Sequence, residues 1–302
     1  MTLIAFVIVS ISAVLHAFWN FIIKRQNPQA SFFLKASITS AVILSPILVI
    51  FREGLANLPG IVWVFLAVTG MVQALYYIFL ASAYRNGDLS LTYPLARSLP
   101  VVLVALASVA LGRGGQIHPL AYAGFILVAA GCILLPLPKF SDLHMTHYFH
   151  KWVLFSILAA ICIMGYTLID DQSMRVLRGI QTSPLSDLGW SLVYIELEAV
   201  SISIFLGLFL LTRKPGKSEI PQAKRSDWGI AALTGVIISV TYGLVLLAMG
   251  FVTNVSYVLA FRQLSIPIGA GLGMLVGKEP ATMPKLVGIA LVVAGLVLAG
   301  VG

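Results

Sequence analysis

Ten apolar runs of about 20 residues, joined by short connections, restrict the fold of this chain more than any other feature. A helix that crosses a bilayer needs a run of that length. The runs cover 2–23, 31–51, 61–84, 89–111, 119–138, 152–170, 188–212, 228–249, 252–276 and 284–301. The two longest connections, 171–187 and 213–227, are too short for a soluble domain. The sequence therefore predicts an all-α integral membrane protein with ten transmembrane helices.

The composition agrees with a membrane protein and limits the partners. Only 10% of the residues are charged, whereas soluble domains carry about 25%. The runs are too long and too uniformly apolar for a membrane barrel. The net charge of +8 comes from basic residues at the ends of the spans, where they act as topology signals. We expect the lipid bilayer, and no nucleic acid, as a partner, and we interpret Cys132 and Cys162 as buried thiols.

One segment of the chain occurs twice, at 83–119 and again 165 positions later at 248–284. The copies read AYRNGDLSLTYPLARSLPVVLVALASVALGRGGQIHP and AMGFVTNVSYVLAFRQLSIPIGAGLGMLVGKEPATMP. Each copy places one arginine, Arg97 or Arg262, near the middle of an apolar run. A charged side chain at that depth costs roughly 2.5–3.5 kcal/mol on insertion scales. An arginine retained twice at one register indicates a role for both.

The repeat extends over both halves of the chain. Identical residues at the same offset are Trp63 and Trp228, Thr69-Gly70 and Thr234-Gly235, Tyr77 and Tyr242, Gly112 and Gly277, and Pro119 and Pro284. We predict a first five-helix repeat over 1–138, a connector over 139–151 and a second repeat over 152–302. Because five is an odd number, the second copy enters the membrane from the opposite side. Such inverted-topology repeats are typical of secondary transporters, with the binding site between the halves.

The basic residues also predict an orientation. They concentrate in the loops that follow odd-numbered spans. The positive-inside rule places those loops in the cytoplasm and both termini outside.

The two arginines are the first candidates for substrate binding. A guanidinium group binds carboxylate or phosphate in a bidentate manner. The alternatives are ion pairs with Glu196 or Glu198, or hydrogen bonds to backbone carbonyls that nearby prolines leave without a donor. Deep in the predicted spans, the two arginines and Lys35 outnumber Glu196 and Glu198 by one charge, which mildly favours an anionic or zwitterionic substrate.

Glu196 and Glu198 are the carboxylates that lie well inside a predicted helix. Either is a candidate to carry a coupling proton. Two positions apart on a helix, they point about 200° away from each other, so both cannot face one cavity. Ion pairing with Lys35 or with an arginine is the alternative.

Polar and aromatic residues of three further spans complete the candidate site. His16 and Asn20 are four apart and share one helix face, and Tyr77 and Tyr242 are paired by the repeat. Packing within the bundle is the alternative for all of them. The candidate substrate-binding set is His16, Trp19, Asn20, Gln73, Tyr77, Arg97, Tyr242 and Arg262.

Histidines and glycines elsewhere receive structural interpretations. The histidines at 144, 147 and 150 lie in the short connector between the halves, which we interpret as a solvated linker without metal. We expect no cofactor. The last two spans contain Gly269, Gly271, Gly273, Gly277, Gly288 and Gly295. Small residues allow close helix packing in lipid, and the same residues can form the face of a homodimer.

With this organisation the sequence resembles the drug/metabolite transporter superfamily, in its ten-helix EamA-type branch. The resemblance rests on HAFWNFIIK at 16–24, on LGRG at the end of the fourth span, and on VGKEP at 276–280. The first copy departs from the glycine-basic-glutamate turn, with Gly114 where the second has Glu279. The resemblance implies transport of amino acids, metabolites or drugs, often outward. It also implies cytoplasmic termini, which conflicts with the distribution of basic residues.

The sequence thus predicts a secondary transporter and no enzymatic activity. We expect an alternating-access carrier, exporter or exchanger, of a small polar metabolite such as an amino acid or organic anion. The expected location is a cell membrane, in bacteria the inner one. The alternative is a lipid-carrier flippase or a structural subunit of a membrane complex.

Overall fold

The computed structural model describes residues 1–23, 29–86, 89–135, 137–142, 151–180, 185–212, 228–276 and 278–301. Within these ranges the protein is helical and contains no strand. Eight helical segments of the described chain are long and apolar enough to cross a membrane, and the shorter apolar helices Ala96–Ala110 and Pro119–Leu134 accompany them. The chain is therefore an all-α, multi-pass membrane protein.

Thirteen α-helices make up the described bundle. In chain order they are α1 Leu3–Ile23, α2 Ala30–Leu44, α3 Pro46–Ile50, α4 Arg52–Ala56, α5 Gly60–Asn86, α6 Leu89–Ala110, α7 Pro119–Leu134, α8 Lys151–Arg178, α9 Asp187–Thr212, α10 Trp228–Ala248, α11 Val255–Arg262, α12 Ser265–Leu275 and α13 Met283–Val301.

Two of the predicted spans are interrupted. The second span is divided into α2 and α3, because Pro46 has no N–H to continue the helix and instead occupies the first position of the next one. The ninth span is divided into α11 and α12 ahead of Pro267, and the Gln263 carbonyl accepts a hydrogen bond from the Ile266 N–H. Helix α6, by contrast, continues as one helix through Pro100.

The ends of two other spans also differ from the prediction. The predicted sixth span, 152–170, ends at its two aspartates, whereas α8 continues to Arg178. The acids are tolerated because protein groups bind them. The fifth span was placed at 119–138, whereas α7 ends at Leu134, ahead of Pro136 and Pro138.

The helices of the two halves interleave. Helix α8 packs against α5 and α6, and α1 packs against α10, α11 and α12. Helix α5 also contacts α9, α10 contacts α2, and α2 contacts α9. Helices α7 and α13 form an extensive antiparallel pair of their own. Buried apolar residues of both halves thus pack together in two clusters.

The α7–α13 pair depends on glycine. A Cβ atom on Gly131 would lie 2.6 Å from the Gly288 carbonyl oxygen, and one on Gly124 would lie 2.5 Å from that of Gly295. Backbones this close leave no room for a side chain. Within the described chain Gly269 and Gly271 make no close helix contact, because a Cβ at either position would meet no atom within 4 Å; their role in a homodimer face stays a prediction.

Two further close contacts are related by the offset of the repeat. Gly70 on α5 lies against Ser201 on α9, and Gly235 on α10 lies against Ala36 on α2. A Cβ on either glycine would come within 2.0 Å of its neighbour. Gly235 is 165 positions after Gly70, and Ser201 is 165 positions after Ala36. The same contact is therefore made twice, with the halves exchanged.

Hydrogen bonds link the halves at the end of the bundle that carries Met1 and Val301, here called the terminal end. Thr2 Oγ1 donates to the Phe251 carbonyl at 2.9 Å. Arg113 Nη1 donates to Asp171 Oδ2 at 2.9 Å. Ser108 Oγ donates to Asn254 Oδ1 at 3.2 Å. These contacts tie the second half to the first.

Candidate functional site

A cavity lies near the middle of the helices, between the two halves. Its lining comes from α1, α2, α5, α6, α8, α9 and α10, and from the last residue of α11. It contains about 730 Å³ of space without protein atoms, part of it open to the outside. The predicted site residues that line it are His16, Trp19, Gln73, Tyr77, Arg97, Glu198, Tyr242 and Arg262.

Both arginines reach this cavity from helices that the repeat equates. Each is only 6% exposed. Arg97 Nη2 donates to Ser265 Oγ at 3.4 Å. The guanidinium carbon of Arg262 lies 5.3 Å from the centroid of the Tyr242 ring, in cation–π contact. Arg262 makes no ion pair with any described residue, so the predicted alternative of pairing with Glu196 or Glu198 is not observed for it.

His16 is held by its neighbour on α1. Trp19 Nε1 donates to His16 Nδ1 at 3.0 Å, and the two rings meet edge to face. Because Nδ1 accepts this bond, the remaining ring donor is the Nε2–H group. Asn20 does not line the cavity as predicted, because its Nδ2 donates to the His16 carbonyl at 2.7 Å, one helical turn back.

Aromatic rings form a continuous wall of the cavity. Phe33 stacks on Tyr77, with ring centroids 4.5 Å apart, and Tyr77 contacts Tyr76 at 5.1 Å. Tyr76 meets Tyr166 at 6.0 Å, and Tyr166 meets Tyr242 at 5.7 Å. The prediction singled out Tyr77 and Tyr242, and the structure adds the residues that connect them.

A buried pair of acids borders the same cavity. Asp170 is fully buried and accepts hydrogen bonds from Tyr194 at 2.9 Å and from Tyr242 at 2.5 Å. Glu198 Oε1 accepts a hydrogen bond from Gln73 Nε2. The two carboxyl groups are close enough to act electrostatically on each other. The structure thus joins an acid of α8 to one of α9.

Sequence reasoning missed Asp170 as a site residue. The predicted sixth span ended there, which placed Asp170 and Asp171 at the membrane edge. In the structure Asp171 faces the terminal end and pairs with Arg113 at 2.9 Å and Arg175 at 2.8 Å. The spacing of four between Asp171 and Arg175 was the available signal that the helix continues.

Only one of the two candidate coupling glutamates belongs to the cavity. Glu198 lines it, whereas Glu196 does not, as expected from their directions on one helix. Glu196 is 1% exposed, and neither of its carboxylate oxygens has a hydrogen-bond partner within the described chain. Lys35, considered as its ion-pair partner, lies over the Trp228 ring, with Nζ 5.0 Å from the centroid.

Side chains of both charge types line the cavity. Both arginines act electrostatically on His16, and both arginines and both acids act on Tyr166. A molecule in this space meets guanidinium donors and a carboxyl group at the same time. The arrangement suits a ligand that carries an anionic group and a cationic group.

No metal centre occurs among the residues that the structure describes, since no group of three or more histidine, cysteine or acidic side chains is close enough to hold an ion. The histidines at 144, 147 and 150 lie outside the described residues, as does Gly277 of the second glycine-basic turn.

Comparison with known proteins gives the fold alone. No family model matches the chain, and no curated protein matches it. It is similar to a solved structure described only as "Crystal structure of protein", with a TM-score of 0.69 over 98% of each chain and 16% sequence identity. The likeness extends over the whole chain.

Proposed function

We propose that this protein is a secondary transporter of the drug/metabolite transporter superfamily, in its EamA-type branch. The substrate is a small polar metabolite with an anionic group, and an amino acid fits best. The protein works as an alternating-access carrier, with the substrate held between two five-helix repeats.

The observation that carries the proposal is the position of Arg262. A buried arginine in a membrane protein normally faces a pairing group or a water-filled path. Arg262 lines the cavity and makes no ion pair within the described chain. An anionic substrate supplies the missing charge.

Reciprocal packing supports inverted repeats. The contact of Gly70 with Ser201 and that of Gly235 with Ala36 are exchanged by a shift of 165 positions. A two-fold relation between the halves produces such pairs. The same shift relates Arg97 to Arg262, so the two repeats contribute one arginine each to the cavity.

The terminal end supports alternating access. Hydrogen bonds link the halves at that end. A carrier must break such a set of contacts to open the cavity to the other side. Polar contacts between halves suit this role, because they can be exchanged for water.

The test is thermal stabilisation of the purified protein in detergent by a panel of amino acids, organic acids, phosphonates, nucleotide sugars and cationic drugs. A ligand at 100 times its dissociation constant stabilises the fold by about 2.7 kcal/mol. We expect stabilisation by amino acids or organic anions, and its loss in Arg262→Ala and Arg97→Ala.

Two matched variants separate charge from geometry. Arg262→Lys keeps the charge but loses the bidentate fork, so we expect weakened stabilisation. Arg52→Ala removes an exposed arginine far from the cavity and should leave stabilisation unchanged. Stabilisation by cationic drugs alone would contradict the role of the arginines. A panel without effect would favour a lipid-carrier flippase or a structural subunit.

A further inference from the structure

We infer that Asp170 and Glu198 form one proton-binding site, open to the cavity through Glu198, whose proton exchanges against the cationic group of the substrate. The exchange rests on the proposed function, whereas the proton site itself does not.

The hydrogen bonds assign different roles to the two acids. Asp170 accepts from two phenol groups, Tyr194 and Tyr242, which suits a carboxylate. Glu198 accepts a hydrogen bond from Gln73, through Oε1. Glu198 Oε2 is buried and has no hydrogen-bond partner within the described chain. A proton on Glu198 therefore neutralises the acid that receives fewer hydrogen bonds, and Asp170, which receives more, stays a carboxylate.

The cavity offers the pair a path for its proton. Glu198 lines the cavity, but Asp170 does not. Release breaks the O–H bond of Glu198 and passes the proton to water in the cavity, which leaves a carboxylate. Uptake reverses these steps. Asp170 lies away from the cavity and keeps its negative charge throughout. Because this charge acts on Glu198, the two acids titrate as one unit.

Other titratable and charged groups face the pair from every side. Tyr76 and Tyr77 face the pair from α5, and Tyr166 faces it from α8, the helix that also carries Asp170. Across the cavity lie His16 on α1, Arg97 on α6 and Arg262 on α11. The arginines stay charged at any relevant pH, and the phenols stay neutral near pH 7. Besides the pair, His16 is the group that could titrate.

Tyr242 connects the proton site to the anion site. Its hydroxyl donates to Asp170, and its ring lies under the Arg262 guanidinium. A substrate anion at Arg262 therefore acts on a residue that also holds Asp170. A substrate ammonium group binds Glu198 only as a carboxylate, so the proton has to leave first. Proton and substrate then exclude each other, and the carrier works as an antiporter.

Infrared difference spectroscopy tests the proton site without any substrate. The purified protein is titrated with acid and base, and the C=O stretching band of a protonated carboxyl group is followed. We expect a titrating band that Glu198→Gln abolishes. Asp170→Asn and Tyr242→Phe should shift its midpoint. If Glu196 contributes to the band, Glu196→Gln removes that contribution, and Asp170→Asn leaves it unchanged. A titrating band that is unchanged in both Glu198→Gln and Asp170→Asn would overturn the inference, as would the absence of a band.

Proteoliposomes test the exchange, with an equimolar mixture of radiolabelled amino acids as the probe. We expect faster uptake when the interior is acidic than at equal pH, and no such difference in Glu198→Gln. Equal rates in wild type, or faster uptake with an acidic exterior, would overturn the exchange. Absence of uptake under every condition would contradict the proposed function, and the infrared titration would then decide the proton site alone.

Discussion

Buried polar side chains determine what the cavity can bind. Tyr242 makes two of these contacts: its ring lies against the Arg262 guanidinium, and its hydroxyl donates to Asp170. Tyr194 holds the same carboxylate from α9 and also contacts Ser173 at 3.1 Å. Because unsatisfied polar groups are costly inside a membrane protein, each of these donors contributes to stability as well as to function.

Tyr194→Phe tests whether a hydrogen-bond donor to Asp170 contributes to stability. It removes one of two donors from Asp170 without changing the ring, so we expect a loss of about 1–3 kcal/mol in the free energy of unfolding. Thermal unfolding in detergent measures it. The control is Tyr122→Phe, which removes a bond of 3.2 Å to the Gly114 carbonyl at a partly buried position. A loss no larger than that of the control would show that Asp170 does not depend on Tyr194.

Helix pairs of this protein approach one another at glycines, but not at every glycine. The α7–α13 pair brings backbone against backbone at Gly131 and Gly288. Gly269 and Gly271 on α12 face open space instead. Sequence composition alone does not distinguish the two cases, because the neighbour that a glycine meets belongs to another helix.

Substitutions at Gly131 and Gly271 distinguish a glycine in a close helix contact from a glycine that faces open space. Gly131→Ala places a Cβ against the Gly288 carbonyl, and we expect a loss of about 1–3 kcal/mol. Gly131→Leu should prevent recovery of folded protein. Gly271→Ala meets no atom within 4 Å and should stabilise α12 by roughly 0.5–1 kcal/mol. Size-exclusion profiles and thermal unfolding report both. Equal effects of the two alanine substitutions would contradict the close packing of α7 and α13.

The whole molecule combines a cavity between its halves with a terminal end at which hydrogen bonds link the halves. Ser108 on α6 contacts Asn254 and Ser256 of the second half, with 3.3 Å between the Oγ atoms of Ser108 and Ser256. If these contacts form a gate, they must separate once in each transport cycle.

A cysteine pair at Ser108 and Ser256 tests the gate. After replacement of the native Cys132 and Cys162, oxidation of the pair should lock the terminal end. We expect locked protein to lose transport in proteoliposomes while it keeps ligand-induced thermal stabilisation, and a reductant should restore transport. The variant with Ser108→Cys alone should transport under oxidising conditions. Undiminished transport by fully cross-linked protein would show that the terminal end does not open.

Local patterns in the chain predicted part of this architecture. The apolar runs predicted membrane-spanning helices, because hydrophobic length is a property of each segment alone. The repeat singled out Arg97, Arg262, Tyr77 and Tyr242, all of which line the cavity. The helical period placed Glu196 and Glu198 on different faces, although it did not say which face meets the cavity.

Tertiary structure alone decided the rest. Asp170 lies inside the bundle because Tyr194 and Tyr242, distant in sequence, supply its hydrogen bonds. Asn20 is directed away from the site by a bond to its own helix. Hydropathy ended the sixth span at its acids, since it counts the cost of burying a charge but not the donors that other helices provide. Sequence by itself therefore determined which segments form helices long and apolar enough to cross a membrane, and long-range packing determined which side chains meet.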